Sequence, residues 1–127
     1  MEYRRLGRSG LKVAPLCLGT MMFGGPTEEN VAGRIAARAR EAGINFIDTA
    51  DVYNDGRSEE ITGRLIRGER DWWVLATKLA NPTGQGPNDR GLSRRHCILA
   101  AEASLRRMVG DPVLQARLEQ ELSILEM

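Results

Sequence analysis

Residues 43–60 read Gly43-Ile44-Asn45-Phe46-Ile47-Asp48-Thr49-Ala50-Asp51-Val52-Tyr53-Asn54-Asp55-Gly56-Arg57-Ser58-Glu59-Glu60. The stretch Asn45 to Ala50 is compact and mostly apolar, and its lack of alternation predicts a strand covered on both faces, the habit of a parallel sheet. Ser58 to Arg67 then reads as a helix with Ile61, Leu65 and Ile66 inward. A buried strand running into a helix is half of a βαβ unit, and the question is whether the flanking sequence repeats it.

It does on both sides. Upstream, Leu16-Cys17-Leu18-Gly19-Thr20 is a second buried strand, and a helix follows with Thr27 as N-cap and Val31, Ile35, Ala36, Ala39 and Ala42 at helical spacing until Gly43 stops it. Downstream, Trp73-Val74-Leu75-Ala76-Thr77-Lys78 is a third strand, and Ser93 caps a third helix through Met108. Between them Asn81 to Gly91 is a Pro- and Gly-rich loop, longer than such connections usually are, and long loops are often functional. Before the first strand, Tyr3 to Leu6 and Leu11 to Ala14 flank Gly7-Arg8-Ser9-Gly10 in the pattern of a β-hairpin. Three strand–helix units predict an α/β fold with a parallel sheet. A doubly wound sheet would carry Gly-x-Gly-x-x-Gly after its first strand, whereas this turn reads Gly19-Thr20-Met21-Met22-Phe23-Gly24-Gly25. The α/β barrel is favoured accordingly.

Barrel enzymes work at the C-terminal ends of their strands. Polar groups stand at all three such ends: Thr20; Asp48 with Tyr53 beyond it; Thr77 and Lys78. A carboxylate inside Phe46-Ile47-Asp48-Thr49-Ala50 is expected to be buried and to require a cation, and Lys78 on the neighbouring strand is the natural partner. On spacing alone a structural salt bridge accounts for the pair equally well. Tyr53 tilts the balance, because an ammonium beside a phenol favours its ionised form and suits it to act as a general acid. Alone, Tyr53 would be an ordinary surface aromatic.

The run Gly43 to Asn54, with Gly56-Arg57-Ser58-Glu59-Glu60 and Gly63, resembles the signature of the aldo-keto reductases. Arg5-Leu6-Gly7-Arg8-Ser9-Gly10-Leu11-Lys12-Val13, Ala76-Thr77-Lys78, Gly86-Pro87-Asn88, Gly91-Leu92-Ser93-Arg94-Arg95-His96 and Glu102-Ala103-Ser104-Leu105-Arg106-Arg107 agree with it. Asn54, where many members have Gly, is similar to the branch of potassium-channel β-subunits and bacterial relatives. The resemblance implies a (β/α)8 barrel capped at its bottom by the hairpin, and NADPH-dependent interconversion of aldehydes or ketones with alcohols. It implies roles for three catalytic side chains: Tyr53 as the acid that protonates the carbonyl oxygen, Lys78 as the group that tunes it, and Asp48 as the partner that orients Lys78. Gly19, Thr20 and Met21, with Asp48, match positions that touch the nicotinamide ribose of NADP. The family's fourth member, a His ending the fourth strand, has no counterpart, since the single histidine, His96, falls on the third helix and is expected to cap it or lie on the surface.

The resemblance covers residues 1–108, which we expect to form the N-terminal part of such a barrel. Residues 109–127 depart from the family: Asp111 as N-cap, Pro112 at the first helical position, and Leu114, Leu118, Leu122 and Leu125 predict a C-terminal amphipathic helix where a fourth strand would stand. A closed barrel takes about 250 residues. The expectation is therefore a partial barrel of about three βα units, truncated relative to the family, with NADP bound weakly or not at all, because most pyrophosphate and adenosine contacts in the family come from the second half. Open strand edges invite pairing with a second copy. Two alternatives stay open: a non-catalytic interaction module, and a half-barrel that assembles into an enzyme.

Composition agrees with a folded domain. Of 127 residues 42% are hydrophobic and 28% charged, and the net charge of +1 comes from interleaved signs, which argues against nucleic acid as a partner. No apolar run approaches the roughly 18 residues of a membrane span, and the start lacks a secretory core, so a cytoplasmic protein is expected. Cys17 and Cys97 are too few for a metal cluster and are expected to be reduced core thiols.

Overall fold

The strand around Asp48 is the centre of a three-stranded parallel sheet in the computed structural model, which describes residues 1–110. The elements run β1 (Arg4–Arg5), β2 (Lys12–Val13), β3 (Leu18–Gly19), α1 (Glu29–Glu41), β4 (Phe46–Asp48), α2 (Arg57–Ile66), a 3-10 stretch (Arg67–Trp72), β5 (Val74–Ala76) and α3 (Arg94–Val109). The hairpin β1–β2 is antiparallel, and the sheet order is β3-β4-β5, with Gly19 opposite Asp48 and Asp48 opposite Ala76. The regular strands are shorter than the apolar runs that announce them, the central β4 as much as the edge strand β5. Single bonds continue the ladder beyond them: Thr20 N–H to Asp48 O at 3.0 Å, Thr49 N–H to Ala76 O at 2.9 Å, and Asp51 N–H to Lys78 O at 3.1 Å.

Two-sided burial of the strands is not what the structure shows. Asn45, Ile47 and Thr49 are buried on the helical side, while Phe46 and Asp48, on the opposite face by strand alternation, are only partly covered. Leu16 is 60% exposed and Cys17 is exposed rather than in the core, since β3 has neither an outer neighbour nor a layer over its second face among the described residues. Ile47, Ile66, Trp73 and Ala39 form the main core, and Phe23, Ala32 and Ile61 a second one under α1 and α2. Each large side chain removed from water there is worth roughly 1.5–3 kcal/mol.

Helix α1 begins later than predicted. Glu28, not Thr27, is its N-cap, because Thr27 is tied into the preceding turn through its N–H to Met22 O and its carbonyl to the Gly24 N–H. Its buried face is Ala32, Ala36 and Ala39, and Ile35 is exposed. Alanine on that face lets the helix axis lie close to the sheet. Helix α3 has its predicted Ser93 cap, whose hydroxyl accepts the His96 N–H at 3.1 Å, but the His96 ring is buried rather than at the surface. Between α2 and α3, Gly63 lies so close to the Met108 backbone that a methyl group would overlap it. The hairpin is held beneath the sheet by Asn45, whose Oδ1 accepts the Ala14 N–H and whose Nδ2 donates to Lys12 O, both at 2.9 Å.

Beyond β5 the structure opens into a cavity of about 300 Å³ lined by residues including Leu75, Thr77, Leu105 and Met108. Helix α3 ends at Val109, with Gly110 as a left-handed cap at φ 58°. The predicted amphipathic helix over 111–127 lies outside the described residues.

Candidate active site at the strand ends

Lys78 follows β5 and reaches across to β4. Its ammonium donates to Asp48 Oδ2 at 2.5 Å and to the Thr49 carbonyl at 2.7 Å. The ion pair is less buried than the sequence predicts, with side chains 47% and 36% exposed, because it sits on the open face of the sheet. Such a pair adds at most about 1 kcal/mol to stability. Partial burial pulls the Lys78 pKa down, but hydrogen bonding to Asp48 and then to Tyr53 outweighs it, and the net direction is upward. The ammonium lies 5.0 Å from the centroid of the Tyr53 ring.

Tyr53 is carried by a tight turn. Its N–H donates to Ala50 O at 3.2 Å, and Asn54, Asp55 and Gly56 then take left-handed φ values of 50°, 56° and 87°. Asn and Asp adopt that region more readily than most side chains. Asn54 also binds the turn to the β3–α1 loop, donating through Nδ2 to Met21 O at 2.9 Å and Phe23 O at 2.8 Å.

Gly19, Thr20 and Met21 lie beside Asp48, as the register requires. A Cβ on Gly19 would meet no atom within 4 Å, and Met21 is 58% exposed, so both face open space. Thr20 is fully buried: its hydroxyl donates to Asp48 O at 3.0 Å and pairs with Ser58 Oγ at 2.9 Å, while Ser58 also donates to Thr20 O and lies 3.1 Å from Thr49 Oγ1. This hydroxyl cluster locks β3, β4 and α2 directly behind the strand ends.

Sequence reading missed the charges that are truly buried. Glu59, with no exposed surface, accepts the Thr77 hydroxyl on Oε1 and Arg107 Nε on Oε2, both at 2.6 Å. Asp51 is also buried, its carboxylate touched only by a weak contact from the Val52 N–H, and the Nε2 of His96 is buried without a hydrogen bond. Burial, and after it the charge of Glu59, raises the Asp51 pKa, with Arg107 acting against them. A partial signal was available for Glu59: Thr62, Gly63 and Ile66, three, four and seven residues on, put small or apolar residues on the same helical face. Among the described residues no three His, Cys, Asp or Glu side chains are grouped to hold a metal ion.

A family profile of the Aldo/keto reductase family matches residues 15–115. The chain belongs to the aldo/keto reductase family. It is 44% identical to a probable voltage-gated potassium channel subunit beta of Oryza sativa subsp. japonica and 46% identical to the oxidoreductase YrpG of Bacillus subtilis (strain 168), each over 89% of its own length. A solved structure described as an aldo-keto reductase from Pseudomonas aeruginosa superposes on 84% of the chain with a TM-score of 0.73 and 41% identity. The aldo/keto reductase chain spans 35% to 38% of the length of those curated relatives and 41% of the solved one. Its fold is accordingly a partial (β/α)8 barrel, the hairpin followed by three βα units. No helix among the described residues is long and apolar enough to cross a membrane.

Proposed function

We propose that these residues are the proton-donating part of a cytoplasmic, NADPH-dependent carbonyl reductase site, in which Tyr53 is the acid, Lys78 tunes it and Asp48 orients Lys78. The observation that carries this reading is the Lys78 ammonium bonded to Asp48 with the Tyr53 ring at 5.0 Å, at the open C-terminal ends of parallel strands. Tyr53 gives its proton to the oxygen of an aldehyde or ketone, and the adjacent ammonium stabilises the phenolate left behind. Asp48 keeps that ammonium charged and fixed. NADPH, when bound, supplies the hydride. The open space at Gly19 and Met21 beside Asp48 fits the nicotinamide end of the cofactor, with Thr20 anchoring the loop from within rather than touching it.

The 127 residues alone are inactive on this reading. Proton transfer from a tuned acid contributes about 10²–10⁴-fold, whereas holding donor and acceptor in register supplies roughly 7–11 kcal/mol, so an acid without a full cofactor cradle turns over little. The test joins residues 1–108 to the remaining part of the Bacillus subtilis relative. The joined protein should oxidise NADPH with an activated aromatic aldehyde and lose about 10²–10⁴-fold of that rate in Tyr53→Phe. A joined protein that folds, and whose Tyr53→Phe variant reduces aldehydes equally well, removes Tyr53 from the chemistry.

A second reading has its own support, since Leu16 and Met22 on the β3 side are 60% and 48% exposed and the cavity beyond β5 is largely apolar. Copies of the chain then pair through these edges, and the assembly restores an enzyme or serves as an interaction module. NADPH loss that depends on Tyr53 in the 127-residue chain, together with a dimeric mass in solution, would favour it.

A further inference from the structure

Thr77 and Lys78 are consecutive, so their side chains leave the strand end on opposite sides. Lys78 turns to Asp48 and the Thr49 carbonyl. Thr77 turns to the helices, where its hydroxyl donates to Glu59, and Glu59 is held in turn by Arg107 from α3. A carboxylate with no exposed surface keeps its charge only with such partners, and its place in the first turn of α2 adds the favourable end of the helix dipole.

We infer that Glu59, fixed by Arg107, is a positioning residue for Lys78: it grips Thr77 from the helical side of the sheet and so sets where the ammonium stands relative to Asp48 and Tyr53. Burial does not immobilise Lys78, whose side chain is 47% exposed, and β5 has a single strand neighbour among the described residues, so the side-chain layer adds the hold that the backbone bonds to β4 at Ala76 and Lys78 give from one side only. The same helical turn holds the acid. The Ser58 N–H donates to Tyr53 O at 3.3 Å, and the Ser58 hydroxyl joins Thr20 and Thr49. Neighbouring residues of α2 therefore contact the turn that carries Tyr53 and the strand end that carries Lys78, which fixes the two against each other. The inference rests on the proposed roles of Tyr53 and Lys78.

The chain contains only two lysines, Lys12 and Lys78, so competitive acetylation of the full chain near pH 8, read by mass spectrometry, compares the second directly with the first. An amine reacts only when uncharged, and Lys78 held by Asp48 should react slowly. Thr77→Val removes the hydroxyl at nearly constant shape and should raise the Lys78 rate relative to Lys12 by roughly threefold or more, the equivalent of half a pKa unit. Thr77→Ser, which keeps the hydroxyl, should restore the parent rate. A hydroxyl with a merely structural role would lower the melting temperature in Thr77→Val and leave the Lys78 rate unchanged, which overturns the inference, as would a Thr77→Ser chain that reacts like Thr77→Val. Asp48→Asn separates the two claims. If it speeds Lys78 and Thr77→Val does not, positioning by Glu59 falls while the site stands; if neither does, the Lys78–Asp48 pair is wrong and both fall.

Discussion

Replacing Arg107 by Met tests whether the Glu59–Arg107 pair is a true interior ion pair. Glu59 has no exposed side-chain surface and Arg107 is 26% exposed, with 2.6 Å between Nε and Oε2. The arginine stem lies across Gly56, where its Cδ would be 2.8 Å from an added Cβ, so Met keeps the stem packing and removes only the guanidinium. What remains around Glu59 is the Thr77 hydroxyl and the helix start, too little to solvate a carboxylate. Removing one partner of a buried pair costs about 3–5 kcal/mol, against at most about 1 kcal/mol for an exposed pair. A domain of this size has roughly 5–15 kcal/mol in total, so the loss is a large fraction of it. Urea unfolding followed by the fluorescence of Trp72 and Trp73 is the assay. With an m-value on the order of 1–2 kcal/mol/M, the midpoint should fall by roughly 1.5–5 M. Adding Glu59→Gln to Arg107→Met removes the stranded charge while keeping an acceptor for Thr77, and most of the loss should return. An Arg107→Met cost below about 1 kcal/mol, or a double variant as unstable as the sum of the singles, would refute the buried-pair account.

Three further outcomes are expected. Gly63→Ala should destabilise the chain, because the roughly 1–3 kcal/mol of overpacking against the Met108 backbone exceeds the gain of up to about 1 kcal/mol in helix propensity, while Gly68→Ala, with no atom near its added methyl, should be neutral or better in the same urea unfolding experiment. Asp51 has a folded-state pKa raised above its ordinary 3.8, so its contribution is most favourable below that pH and is lost as pH rises through the folded value. Asp51→Asn should therefore be more stable than the parent at neutral pH, with the difference vanishing in acid unfolding series below that value. Asn54→Ala should loosen the Tyr53 turn, since it removes two hydrogen bonds to the β3–α1 loop and places a side chain less suited to φ 50°; faster amide exchange at Tyr53 with little change at β4 is the expected signature.

The sheet is legible in the sequence because strand and helix periodicities are local: apolar runs at Leu16–Thr20, Asn45–Ala50 and Trp73–Lys78 locate the three parallel strands of the described residues. Their burial is not legible. A continuous apolar run predicts cover on both faces, yet Leu16 and Phe46 show that one face has no second layer among the described residues. The same geometry explains the site. Buried-charge reasoning pairs Asp48 with Lys78, and they do pair, but on the open face, where both side chains are only partly removed from water. Glu59 is hard to read because a Glu in the first turn of a helix is ordinarily a solvated partner of the helix dipole; the small and apolar residues on its face hint at burial, but its partner, Arg107, lies 48 residues later.

The two faces of the β4–β5 strand ends handle charge in opposite ways. On the helical face, Glu59 and Arg107 form a pair whose disruption is costly, and neither is free to move a proton or meet a substrate. On the open face, Asp48 and Lys78 form a pair that contributes little to stability and is accessible, which is the condition that the role proposed for Lys78 beside Tyr53 requires. Accessibility alone would leave the ammonium mobile, and a general acid tuned by a wandering charge loses the register that catalysis needs. Consecutive residues in a strand resolve the conflict, because Thr77 is bound to the rigid network while Lys78 projects from the same stretch of backbone into the open site. On the proposed positioning role of Glu59, a change at Glu59, Arg107 or Thr77 should be felt at Lys78 although none of these side chains contacts its ammonium.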